Sequence, residues 1–82
     1  MAKDITYEVV KDIGVISTSP SKWEKRLRYI SWNGGAPKYD IRDWSPDGLK
    51  MGKGLTLTKE ELLAVAALAG SLQDEPDDIP AT

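Results

Sequence analysis

Two hydrophobic periods divide the chain. Up to residue 57 apolar and polar positions alternate in short runs, the period of a half-buried strand, and from residue 58 the apolar positions crowd at helical spacing. Ile5, Tyr7 and Val9 alternate with Thr6 and Glu8 until Val10 breaks the pattern, Lys11-Asp12 reads as a turn or bulge, and Val15 and Ile16 resume extended structure. Residues 5–18 are therefore one long bent strand or a tight hairpin, and alternation alone does not decide. Thr18-Ser19-Pro20-Ser21 is a turn. Residues 24–32 predict a second strand, favoured by Tyr29, Ile30 and Trp32. Asn33-Gly34-Gly35-Ala36-Pro37 closes it, with Asn-Gly as a strong hairpin signal. Residues 38–45 return as a third strand, Ser45-Pro46-Asp47-Gly48 turns the chain, and residues 53–57 predict a short fourth strand with Leu55 and Leu57 on one face.

Thr58-Lys59-Glu60-Glu61 then has the form of a capping box, in which a threonine hydroxyl and a glutamate three residues on satisfy each other's backbone N–H groups. The helix it starts is predicted over residues 59–72. Leu62, Val65, Ala69 and Leu72 make one stripe, Leu63, Ala66 and Ala67 widen it, and residues 62–69 contain no polar side chain. A helix apolar nearly all round must be covered on more than one side. One small sheet does not suffice, so a second copy of the chain is expected against Leu62, Leu63, Val65, Ala66 and Ala69. Size argues the same way: 82 residues make one small domain with a modest core, and without cysteine no disulfide staples it.

The net charge of -2 hides a segregation. All 11 Lys and Arg and 7 of the acids lie in residues 1–59, leaving +4 there, while residues 60–82 hold 6 acids and no base. Residues 73–82, acidic and broken by proline, are expected to be a disordered tail behind a domain spanning residues 1–72. Basic body and acidic end together suit a nucleic-acid surface beside a tail, or simply a solvated surface. The absence of histidine and cysteine removes the common general base, the thiol nucleophile and the usual zinc ligands. Neither a metal nor another cofactor is expected. Asp40, Asp43 and Asp47 offer the one carboxylate set for a hard cation, but Asp40 and Asp43 face opposite ways on a strand, so surface pairing with Arg42 and nearby lysines is the better reading. No apolar run is long enough to cross a bilayer, and no signal segment is recognisable at the start, which points to the cytoplasm.

The most informative stretch is residues 38–54. On its strand Lys38, Asp40, Arg42 and Trp44 face one way, and Tyr39, Ile41 and Asp43 the other. Arg26, Arg28, Ile30 and Trp32 share a face of the preceding strand. After the turn come Lys50 and Lys53, set among Gly52 and Gly54. This run is not a phosphate-cradling P-loop, since Leu55 stands where such a loop needs Ser or Thr. Cations beside bare indoles suit an unpaired strand of nucleic acid, with charges for phosphates and rings for bases. Lys22, Trp23, Lys25, Arg26, Arg28, Trp32, Lys38, Arg42, Trp44, Lys50 and Lys53 are the candidate contacts. The alternative for each indole is a core position, with Trp23 evenly balanced between the two.

Three segments carry a resemblance: R-Y-I-S-W at 28–32, K-Y-D-I-R-D-W-S-P-D at 38–47 and K-M-G-K-G-L-T-L-T at 50–58. They resemble the bacterial YdbC-like branch of the transcriptional positive cofactor family, over roughly residues 5–70. The resemblance implies an α+β fold: a curved four-stranded antiparallel sheet, then one amphipathic C-terminal helix through which two copies form a homodimer. It also implies that single-stranded DNA lies on the sheet, with Arg28, Arg42, Trp44, Lys50 and Lys53 as contacts. The family's second stacking aromatic has no clear counterpart, and Trp32 is the candidate. The expected role is sequence-nonspecific single-stranded DNA binding in transcription or DNA maintenance at the nucleoid, with RNA and melted duplex as further partners, and no catalysis. The competing class is a protein-interaction module that pairs through an exposed sheet edge.

Overall fold

In the computed structural model, which describes residues 5–74, four strands and one helix follow in order: β1 (Tyr7–Thr18), β2 (Glu24–Trp32), β3 (Lys38–Trp44), β4 (Met51–Leu57) and α1 (Lys59–Gly70). The strands form one antiparallel sheet in sequence order, so every connection joins neighbours and β1 and β4 are its edges. The fold is α+β, as the two periods of the chain require. A 3-10 turn, Ser71–Asp74, continues past α1, and the rest of the acidic segment lies outside the described residues.

β1 is the long bent strand and not a hairpin. Its pairing with β2 slips three times, between Val9 and Lys11, Asp12 and Gly14, and Val15 and Ser17. Each slip admits one extra residue, Val10, Ile13 or Ile16, and each such bulge adds bend and twist. A further irregularity lies between Arg42 and Trp44, where β3 meets β4. These devices curl the sheet. Tyr7 pairs with Trp32 at one end of β2 and Trp44 with Glu24 at the other. Those ends lie roughly 26 Å apart along a flat strand, yet the rings of Tyr7 and Trp44 are 5.6 Å apart. The face carrying Arg28, Ile30, Trp32, Asp40, Arg42 and Trp44 is the inside of that curl.

The turns follow local chemistry. Asn33 (φ 51) and Gly34 (φ 75) take the left-handed conformations that the β2–β3 hairpin needs. Between β3 and β4, Asp47 accepts from Ser45 Oγ at 2.6 Å and from the Leu49 amide at 2.9 Å, and the Ser45 bond comes first among the causes that hold its carboxyl below the usual range. β4 begins at Met51, two residues before the span read from the sequence. Gly54 permits this close approach, because a Cβ there would overlap Arg42 Cβ and the Ile41 carbonyl.

The capping box of α1 is formed. The Glu61 amide donates to Thr58 Oγ1 at 3.1 Å, and the Thr58 amide donates to Glu61 Oε1 at 2.9 Å. Of the four strands the helix touches only β3 and β4, and it buries none of its residues. Leu63, Val65, Leu68 and Leu72 are exposed, Leu68 by 73%. Among the described residues the buried apolar side chains are Ile30 and Trp44 alone. No helix of the described residues is long and apolar enough to cross a membrane.

Gly54→Ala should destabilise the protein by about 1–3 kcal/mol, the usual cost of overpacking. Urea unfolding checks this, and an unchanged midpoint would show that β3 and β4 are not so close.

Candidate nucleic-acid interface

The strand alternation placed the indoles and guanidiniums together as expected, but did not show that the face closes on itself. Trp44 is 1% exposed, and Arg42 is locked to a carboxylate. The expected bare indole of Trp44 is therefore corrected: curling of the sheet brings Tyr7 and Arg28 over it. The Arg28 guanidinium sits 4.6 Å from the centre of the Trp44 ring, and the Arg42 guanidinium 4.9 Å from that of Trp32. Tyr7 touches both indoles, at 5.6 Å each.

Asp40 organises this layer. It is wholly buried and accepts from Arg42 Nε at 2.6 Å, Arg42 Nη2 at 2.8 Å and Thr56 Oγ1 at 3.2 Å. Two parallel bonds to one carboxylate fix the plane of a guanidinium. Arg42 Nη1 is left with two long contacts, 3.7 Å to Met51 Sδ and 3.5 Å to the Gly52 carbonyl. Asp40 was expected at the surface. Its pairing with Arg42 is real, but the pair lies inside the curl.

The other candidate cations divide into two sets. Arg26 bonds Asp12 at 2.7 Å and Glu24 at 2.6 Å, with Glu24 the first cause that raises its pKa, and Arg28 bonds Asp12 at 3.2 Å. Lys25 pairs with Asp43 at 3.0 Å, a largely exposed pair of the kind that contributes little. Lys22, Lys38, Lys50 and Lys53 are exposed and form no ion pair among the described residues. Lys22 stands in the β1–β2 turn at φ 74. Trp23 is half-buried beside Gly52 and Asp43, apart from the other two indoles. Asp40, Asp43 and Asp47 are each engaged separately, and among the described residues no three acids gather as a metal site.

Trp32 keeps partial access. With Ile5, Asn33, Arg42, Met51 and Thr56 it lines a cavity of about 300 Å³ on the inside of the curl. An indole wall, a guanidinium and an apolar rim are what a single base needs to stack. The sequence reading overlooked Tyr7, whose alternation on the same strand face as Val9 was the available signal. It also overlooked Asp12 and Glu24 as acids that tie down Arg26 and Arg28.

Fold and site together define a small curled sheet with a guanidinium-backed aromatic hollow. The family model for Transcriptional Coactivator p15 (PC4) matches residues 19–68, from the turn before β2 almost to the end of α1. An uncharacterized protein of Treponema pallidum (strain Nichols) is 51% identical over 73 residues, covering 89% of this chain and 86% of that protein. The chain belongs to the transcriptional coactivator p15 (PC4) family.

Trp44→Ala should lower stability by about 3–5 kcal/mol, the cost of emptying a buried aromatic site. Thermal and urea unfolding measure this directly. Wild-type stability would mean that Trp44 is a surface ring after all.

Proposed function

We propose that this chain binds single-stranded DNA, without strong sequence preference, on the inside of its curled sheet. The observation that carries the reading is the Trp32 cavity, where Arg42, held by Asp40, lies against an indole that solvent still reaches. Bases inside a duplex are stacked and unavailable to such a hollow, whereas an unpaired strand offers them singly. Lys22, Lys38, Lys50 and Lys53, which form no ion pair among the described residues, supply the salt-sensitive attraction to phosphates. Arg26, Arg28 and Lys25, engaged by the chain's own acids, contribute shape more than free charge. Membership of a transcriptional coactivator family supports a role in transcription; DNA maintenance and a place at the nucleoid are part of the proposal. Binding without catalysis is part of the proposal.

The working unit is proposed to be a homodimer joined through α1. In the single chain Leu63, Val65 and Leu68 of that helix are exposed, and among the described residues the buried apolar core amounts to Ile30 and Trp44. A domain this small rarely stands on so little. Leu62, Leu63, Val65, Ala66 and Ala69 are the contact residues, and two-fold symmetry then gives two equivalent hollows.

One observation favours a second reading. The bulge residues Val10, Ile13 and Ile16 are exposed on an edge strand, the surface through which sheets recruit partner strands. Such binding would be nearly indifferent to salt.

Trp32→Ala should weaken oligo-dT binding by about 1–3 kcal/mol in a fluorescence-anisotropy titration. Wild-type affinity should fall steeply with added salt, and duplex DNA should bind more weakly than single strands, with RNA run alongside. Salt-independent binding, or a Trp32→Ala protein with full affinity, would turn the choice towards the edge-pairing reading. For the assembly, light scattering at micromolar concentration should give twice the 9.0 kDa chain mass, and Val65→Asp should reduce it. A wild-type monomer would refute the homodimer.

A further inference from the structure

Tyr7 opens the edge strand β1, and its ring meets Trp32 and Trp44 at interplanar angles of 45° and 51°. Aromatic pairs prefer offset-stacked or edge-to-face arrangements, and these angles lie between the two. The phenol, 37% exposed, thus lies against both indoles from the solvent side, in neither preferred orientation. In the same layer three buried N–H donors have no acceptor among the described residues: Nε1 of Trp32, Nε1 of Trp44 and Nε of Arg28. Buried donors are rarely left so, and three in one contact set call for an explanation.

We propose that the gap between Trp32 and Trp44 is a nucleobase site, closed by Tyr7 in the free protein and opened when an unpaired pyrimidine displaces that ring. The proposal rests on the reading above, that the inside of the curl binds single strands, and names the class of base it takes. A pyrimidine is a six-membered ring like the phenol it would replace. Thymine and cytosine, and uracil in RNA, also carry ring carbonyls, which accept hydrogen bonds from indole N–H groups and from Arg28 Nε. Adenine has no carbonyl, and its second ring exceeds the space that Tyr7 occupies. The planar base, unlike the strand-bound phenol, is free to turn parallel to an indole.

The closure is weakly held. Beyond the first β1 pair, the Thr6 amide donates to Asn33 Oδ1 at 3.0 Å and the Asn33 amide donates to the Thr6 carbonyl at 2.7 Å. Asn33 of this clasp and Ile5 beside it also line the cavity next to Trp32. A base entering that cavity therefore arrives at the clasp. Strand ends with exposed backbone bonds are the parts of a sheet that open most readily.

Two variants test the site. Tyr7→Ala removes the ring, and Asn33→Gly removes the clasp acceptor while tolerating the positive φ. Indole N–H hydrogen exchange, followed in the free proteins by NMR, should be faster at Trp32 and Trp44 in both variants than in wild type. Affinity for oligo-dT should tighten by about threefold to tenfold, since a closed fraction no longer taxes binding. Wild type should prefer oligo-dT to oligo-dA, and either to an abasic strand of equal length. Unchanged exchange, weaker oligo-dT binding by both variants, or equal binding of oligo-dT and oligo-dA would overturn the proposal. Salt-sensitive wild-type binding to all three strands alike would leave single-strand binding standing and sink only the pyrimidine site. No wild-type binding to any strand would remove both.

Discussion

The interaction on which the rest depends is the clamp of Asp40 on Arg42. A carboxylate wholly out of water must be paired, because an isolated buried charge costs several kcal/mol or more. Arg42 and Thr56 supply that pairing. In return the guanidinium is fixed in plane and lies against Trp32. Arg28, which meets Asp12 through one contact at 3.2 Å, lies over Trp44. The polar and aromatic side chains inside the curl thus hold one another in place. That explains how a sheet face so poor in aliphatic residues forms the buried layer of the domain, while the leucines of α1 remain outside it.

The bulges of β1 make this layer possible. A flat sheet would keep Tyr7 and Trp44 far apart, and the indoles would lie open along its face. Curling trades that open platform for a smaller hollow at Trp32 and a shielded indole at Trp44. For a ligand the consequence is a division of labour. In the proposed binding mode, the exposed lysines supply long-range attraction and the guanidinium–indole pairs supply stacking walls.

Much of the fold was legible in the chain. Alternation separated the faces of β2 and β3, Asn-Gly marked their hairpin, and Thr58 with Glu61 marked the start of α1. The start of β4 was not legible, because Met51 and Gly52 lack the pattern of a strand. Of the site, the pairing of Arg42 with Asp40 followed from two residues sharing a strand face. What alternation does not contain is which face a sheet turns inward. Curvature comes from register slips between strands, and single residues such as Val10, Ile13 and Ile16 reveal them only once their partners on β2 are known. Trp44 was placed on the correct face and given the wrong exposure for that reason.

The most direct test of where this molecule engages its ligand is an NMR titration of the ¹⁵N-labelled protein with oligo-dT. The largest shifts should fall on the indole N–H groups of Trp32 and Trp44, the Arg42 side chain and the backbone of residues 50–56. Shifts confined to the outer edge of β1, or to the Tyr29 and Tyr39 side of the sheet, would contradict the account.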